Sequence, residues 1–280
     1  GNITVKLPDG ADLDAKHQVT VIVTDHKKAP QQGKNVTVKG DLGQSAAGKT
    51  DKNGELTVPE VEQTERHGVY IVGYTDGTFG PSRSMTRSEA AAIFARLLAE
   101  KNGDAISTAA NTKFADIPAH AWYSGYVKYL SNNGITYGKS KTVFAPNDAI
   151  TRAEFTTMAV RFFDVYGDGD AEIMEQFSGF HDVSSGYWAA EYIKYAALHG
   201  WINGYGDGSF HAEREINRAE VVTIVNRLLG READEDYIAD NLRKLNTFPD
   251  VSRKHWAYYA VMEAANAHTA VLGESESWSK

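Results

Sequence analysis

Met85-Thr86-Arg87-Ser88-Glu89, Ile150-Thr151-Arg152-Ala153-Glu154 and Ile216-Asn217-Arg218-Ala219-Glu220 are one motif written three times at nearly constant spacing. A regular internal repeat sets the architecture before any chemistry is considered. Thr-x-x-Glu ahead of an apolar run, with Asn for Thr in the third copy, is a capping box. Its first side chain accepts a backbone N–H, and its Glu reaches back to the cap N–H. Apolar residues then follow at helical spacing: Ala90, Ile93, Phe94, Leu97 and Leu98 in the first copy, and Val221, Ile224, Val225, Leu228 and Leu229 in the third. Each copy predicts an amphipathic helix, and Gly230 is placed to end the third.

Outward from the motifs, a second helical pattern is led by Trp122, Trp188 and Trp256, as in Trp122, Tyr126, Val127 and Leu130. An aromatic–aspartate element precedes each: Phe114-Ala115-Asp116, Phe180-His181-Asp182 and Phe248-Pro249-Asp250. Glycine-rich turns precede the motif helices. Gly73-Tyr74-Thr75-Asp76-Gly77-Thr78-Phe79 and Gly204-Tyr205-Gly206-Asp207-Gly208-Ser209-Phe210 are close copies, whereas Gly138-Lys139-Ser140-Lys141-Thr142-Val143-Phe144 loses the Tyr and the Asp. The first motif helix has no tryptophan helix before it, and the last tryptophan helix has no motif helix after it. The ends are therefore expected to pair, with residues 255–267 beside 68–99, closing a pseudo-three-fold bundle and covering the terminal apolar faces.

Residues 1–63 read differently. His17–Thr24 is a β-branched run, Asn2–Leu7 and Val36–Val38 alternate, and Pro8-Asp9-Gly10 and Gln31-Gln32-Gly33 signal turns. Thr50–Val58 reads as a hairpin around Asp51-Lys52-Asn53-Gly54. The expected fold class is mixed: a small all-β, Ig-like sandwich module at 1–63, then a mainly α region at 64–280. Within that region the segments are 64–100, 112–165, 178–230 and a closing helix at 246–270 that completes the first repeat.

Composition narrows the function. With 37 acids against 29 bases, the net charge is −8, which argues against broad nucleic-acid binding. The absence of cysteine excludes disulfides and thiolate metal sites. No apolar run approaches a membrane span, so no membrane insertion is expected. The first residue is Gly1, not Met, so the chain is expected to be a segment of a longer protein whose targeting signal lies elsewhere. Asp164, Asp168, Asp170 and Glu172 lack the full spacing of a calcium loop, and the nine histidines show no metal-binding spacing. No nucleophile elbow or phosphate loop is present. No cofactor, metal or catalytic residue is therefore expected.

The ordered set of motifs resembles the S-layer homology domains over roughly residues 68–268. The resemblance implies a pseudo-trimeric bundle that anchors surface proteins non-covalently to the bacterial cell wall, with an extracellular, S-layer location. Its implied ligand is an anionic secondary cell-wall polysaccharide, commonly pyruvylated. Peptidoglycan binding and self-association in a lattice are the alternatives. A carbohydrate-active enzyme fragment has no support, since two carboxylates can always be chosen from so many acids. The family's motif arginine, which lines grooves between repeats, maps to Arg87, Arg152 and Arg218.

The residues themselves give these arginines a reason. At the first helical position a cation opposes the helix dipole by about 0.3–1 kcal/mol, and capping does not need it. Free N–H groups at a helix start favour anions, and arginine adds bidentate donors for carboxylate or phosphate. Asp116, Asp182 and Asp250 are further candidate ligand contacts, and a salt bridge from the arginines to one of them is the structural alternative. An arginine kept for ligand alone is replaceable with little loss of stability. Arg96, Arg161 and Arg227 sit near helix ends, where a cation suits the dipole, and read as structural. Trp122, Trp188 and Trp256 are candidates for stacking on sugars, although their helical register suits core packing at least as well. Tyr74 and Tyr205, with Asp76 and Asp207, are candidate contacts in the turns, and Gly77 and Gly208 read as positive-φ residues. Lys139 and Lys141 in the middle copy suggest a more basic groove there.

Overall fold

The computed structural model describes residues 2–6, 19–39, 45–58, 63–166, 177–272 and 277–279. The turn at Pro8-Asp9-Gly10 and the acidic positions Asp168, Asp170 and Glu172 lie outside the described residues. The chain divides into two units, Gly1–Glu65 with Ala270–Ser275 and Arg66–Thr269 with Glu276–Lys280.

In the first unit, β1 (Asn2–Lys6), β2 (Val19–Thr24) and β5 (Glu55–Val58) form an antiparallel sheet in the order β1-β2-β5, with Val21 opposite both Val5 and Leu56. A second sheet pairs β3 (Asn35–Lys39) with β4 (Ser45–Lys49). Thr50–Val58 is a turn as expected, with Asp51 Oδ1 accepting from the N–H groups of Asn53 and Glu55 at 2.7 and 2.9 Å. It is not a paired hairpin, because β4 pairs with β3 and β5 with β2. Leu56 lies over Gly48, where a Cβ would stand 2.6 Å from Leu56 Cδ1. A third sheet has the order β6 (Gln63–His67), β7 (His268–Leu272), β8 (Ser277–Ser279).

The second unit is mainly helical. The motif helices are α1 (Arg87–Asn102), α3 (Arg152–Tyr166) and α5 (Arg218–Leu229). Beside them run α2 (Ser124–Asn132), α4 (Ala190–Leu198) and α7 (Tyr258–Ala265), paired as α1 with α2, α3 with α4 and α5 with α7. A short α6 (Glu235–Asn241), which periodicity did not indicate, starts at Asp234, whose side chain accepts from the Tyr237 N–H. The apolar stripe of each motif helix is buried, and Gly103 and Gly230 end α1 and α5 in the left-handed conformation. Phe79, Phe144 and Phe210 close the three turns and are fully buried. Each contributes on the order of 1.5–3 kcal/mol of hydrophobic stabilisation.

The motifs meet through backbone. The Met85 N–H donates to Ile216 O at 3.0 Å, the Ile216 N–H to Ile150 O at 3.0 Å, and the Ile150 N–H to Met85 O at 2.9 Å, which is a closed cycle. The C-terminal segment reaches the first motif region: Tyr70 N–H donates to Ala264 O at 3.3 Å, and Phe248 packs on Phe79 with ring centroids 5.3 Å apart. Within that contact α7 takes α5, not α1, as its helical partner.

Candidate functional site

All four orphan N–H groups at the start of each motif helix are satisfied. In α1, Thr86 N–H donates to Glu89 Oε2 at 2.8 Å and Glu89 N–H to Thr86 Oγ1 at 3.2 Å. The two between them, Arg87 and Ser88, donate to the carbonyls of Asp148 and Pro146 in the next loop. The same pattern holds at α3, with carbonyls from Arg214 and Ala212, and at α5, with carbonyls from Arg83 and Pro81. The capping boxes are therefore present as read. The helix starts offer no free N–H groups to an anion, which corrects that part of the sequence argument. What remains for an anion is the guanidinium.

Each motif arginine is 4% exposed and held in the same way. Arg87 Nε donates to Phe144 O, Arg152 Nε to Phe210 O and Arg218 Nε to Phe79 O, each at 2.8 Å. The guanidinium lies over that phenylalanine ring, 4.5–5.0 Å from its centroid. Arg87 Nη1 stands 3.1 Å from Glu154 Oε1, and Arg152 Nη1 stands 3.2 Å from Glu220 Oε1. Arg218 feels the charge of Glu89 and donates through Nη2 to Val72 O at 2.7 Å. Each arginine thus reaches towards the capping glutamate of a neighbouring motif helix. Burial lowers the pKa of Arg152 and Arg218, and nearby Tyr and Glu side chains oppose that shift.

Asp116, Asp182 and Asp250 were the expected salt-bridge alternative, but the carboxylates that face the arginines are glutamates. The aspartates take backbone N–H groups: Asp116 from Phe144 and Ala145, Asp182 from Phe210 and His211, Asp250 from Phe79 and Gly80, at 2.6–3.2 Å. Burial raises the carboxyls of Asp116 and Asp182, but these bonds outweigh it and hold both groups below the ordinary range. The chain of support runs from aspartate to phenylalanine N–H, and from phenylalanine carbonyl to arginine.

Two hollows gather the remaining residues. One, of about 210 Å³, joins Arg218 with Tyr74, Glu89, Arg96 and Trp122. The other, of about 240 Å³, joins Arg152 with Tyr205, Glu220, Arg227 and Trp256. These are smaller than the roughly 300–1,000 Å³ of drug-sized sites, so each takes a small group. Trp122, Trp188 and Trp256 are 55%, 56% and 65% exposed, which overturns the core-packing reading. Each lies two residues ahead of its helix, outside the buried stripe. Asp76 and Asp207 line neither hollow. They accept from Thr78 and Ser209 within the turns, and those hydroxyl and backbone bonds lower both carboxyls. Gly77 and Gly208 have φ of 83° and 81°, as read.

Arg96 and Arg227, read as structural, line the hollows instead. Each lies nine residues beyond its motif arginine. At 100° per residue that is about half a turn net, so one helix presents its two arginines to opposite sides. The shared spacing of the two arginine sets was the signal for this. The middle set differs. Tyr74 stacks with Arg83, and Tyr205 bonds Arg214, but the matching pair is Lys139 and Asp148, bridged at 2.9 Å. Lys139 thus pairs with an acid at the place where the other two turns carry Arg83 and Arg214.

Residues 57–91, 113–156 and 179–222 match the S-layer homology domain. The chain carries three S-layer homology repeats. It is 34% identical over 218 residues to cell surface glycoprotein 1 of Acetivibrio thermocellus, covering 75% of this chain and 9% of that protein. It is 30% identical to the cellulosome-anchoring protein of the same organism, covering 82% of this chain and 49% of that one. It is 33% identical to the surface-layer 125 kDa protein of Lysinibacillus sphaericus, covering 57% of this chain and 13% of that one. The chain thus spans about half or less of these relatives. S-layer homology repeats place the protein at the bacterial cell wall or surface.

Proposed function

We propose that the chain anchors a bacterial surface protein to the cell wall by binding an anionic, pyruvylated secondary polysaccharide in grooves between three-fold-related repeats. The observation that carries this reading is the meeting of a buried arginine with an exposed tryptophan and a tyrosine, seen with Arg218, Trp122 and Tyr74 and again with Arg152, Trp256 and Tyr205. The aromatic ring takes a sugar face and the guanidinium takes the acid group. Nε is already fixed to a backbone carbonyl, so the fork is pre-oriented and little side-chain entropy is lost on binding. A guanidinium has five N–H donors, and those not engaged by Phe79, Val72 and Tyr74 in Arg218 remain for the ligand. The role is non-catalytic.

The test is co-sedimentation with Gram-positive cell walls before and after chemical removal of the secondary polysaccharide. Binding that disappears on stripping supports the glycan. Equal binding to stripped walls redirects the reading to peptidoglycan. Assembly that depends only on protein concentration favours a lattice role.

A further inference from the structure

One buried cluster of the helical unit takes no part in the grooves. His67 ends β6, Glu263 lies in α7 and His268 opens β7, and they are 3%, 0% and 6% exposed. His67 Nδ1 stands 3.4 Å from Glu263 Oε1, and His268 Nε2 stands 3.3 Å from Glu263 Oε2. Potential ligand atoms from all three residues lie within 4.8 Å of one another. Histidine spacing along the chain gave no hint of this, because the two imidazoles come from opposite ends of the unit.

The hydrogen-bonding logic is specific. His268 Nδ1 lies 3.0 Å from the Asn266 carbonyl oxygen. A carbonyl only accepts, so Nδ1 carries the hydrogen. With Nε2 as a lone pair aimed at a carboxylate oxygen, two acceptors face each other, and either a proton or a metal ion must lie between them. The separations are longer than the roughly 2.7–2.9 Å of a charge-assisted N–H···O bond. About 3.3 Å is the separation of two ligand atoms around a metal with bonds of about 2.0–2.1 Å, and here it recurs from each imidazole to its own oxygen of the shared carboxylate. Among the described residues, neither Glu263 oxygen accepts a hydrogen bond. A ligating imidazole that gives its other N–H to a carbonyl is the usual outer arrangement of a metal site. Trp278 stacks on His268 at 3.8 Å and 13°, and its backbone N–H is held by Asp234 Oδ2 at 2.9 Å, which walls the cluster from water.

We propose that His67, Glu263 and His268 bind a divalent transition-metal ion of the zinc class, with a water as the fourth ligand. Two imidazoles and one carboxylate suit zinc, whereas calcium takes six to eight oxygens. The ion clasps the segment entering the unit to the segment leaving it, so its binding adds to folding stability.

The experiment uses the full chain, stripped with chelator and dialysed, and titrated with Zn²⁺ by calorimetry and with Co²⁺ by visible absorption. The expected result is one tight equivalent of Zn²⁺ and a four-coordinate Co²⁺ spectrum. At free Zn²⁺ 100-fold above Kd, Tm rises by about 5–10 °C. His67→Gln and His268→Gln each weaken binding by about 100-fold or more, with circular dichroism confirming that the variants fold. The titration of the unsubstituted chain stands independently if a variant unfolds. No saturable Zn²⁺ binding by the unsubstituted chain overturns the proposal, as does unchanged affinity in both folded variants. A shared proton then joins the three side chains.

Discussion

Arg152 Nη1 lies 3.2 Å from Glu220 Oε1, while the other oxygen of that carboxylate accepts the Asn217 N–H at 3.0 Å. One glutamate therefore caps its own helix and steadies the arginine of the preceding motif. The same division of labour occurs at Glu154, whose Oε1 faces Arg87 and whose Oε2 takes the Thr151 N–H at 3.1 Å. Repeat packing and site geometry share these carboxylates, so a change at either end is felt at both.

Arg218→Lys tests the fork. Lysine cannot reproduce the bonds to Phe79 O and Val72 O together. Glycan affinity is expected to fall roughly 10- to 100-fold, equivalent to one charged hydrogen bond. Stability falls by about 1–3 kcal/mol. Burial of the side chain argues against the expectation that a motif arginine is replaceable with little loss of stability, and the unfolding measurement decides it. Calorimetric titration and urea unfolding measure the two effects separately, and loss of stability alone sinks the anion role.

Trp122→Ala and Trp256→Ala test the opposite case. Both rings are more than half exposed, so stability should stay within about 0.5 kcal/mol. Glycan affinity should fall by about tenfold for each, the scale of one lost stacking partner. Unchanged affinity in the double variant removes the tryptophans from the site.

Gly73→Ala probes the support beneath the groove. A Cβ at this position would lie 2.5 Å from Phe248 Cε1 and 2.8 Å from Thr78 O. Overpacking of this kind costs about 1–3 kcal/mol. Thermal unfolding that matches the unsubstituted chain contradicts the close approach.

Acid sensitivity follows from Asp116 and Asp182. Their carboxyls lie below the ordinary value near 3.8 in the folded chain, so the unfolded chain binds protons first as pH falls. Their stabilisation is complete above that ordinary value and is lost as pH drops through the folded value. The urea midpoint of the unsubstituted chain should decline below about pH 4, and Asp116→Asn with Asp182→Asn should flatten that decline.

Lys139→Tyr combined with Asp148→Arg gives the middle groove the residues of its neighbours at those two positions. Titration should then show more glycan bound per chain, or tighter binding. A stoichiometry and affinity identical to the parent show that the Lys139–Asp148 pair is not what sets that groove apart.

Much of the helical unit was legible from local rules. Thr86 with Glu89, the stripe from Ala90 to Leu98 and the stop at Gly230 follow from capping and periodicity, which involve only near neighbours. The arginines were legible as anomalies, because Arg87 opposes its helix dipole. The strand pairing of Thr50–Val58 was misread, since a turn signal does not say which strand lies alongside. Trp122 was ambiguous, because helical spacing does not reveal that the helix begins two residues later.

Capping, helix positions and positive-φ turns were determined by the sequence alone, since each depends on residues a few positions apart, and the three-fold recurrence is written in it as a repeated motif. Tertiary structure decided which carboxylate faces which arginine, that loop carbonyls fill the helix starts, and that Arg96 belongs to a different groove from Arg87. It also brought His67, Glu263 and His268 together. These relations join residues far apart in the chain, and only packing of the repeats sets their distances.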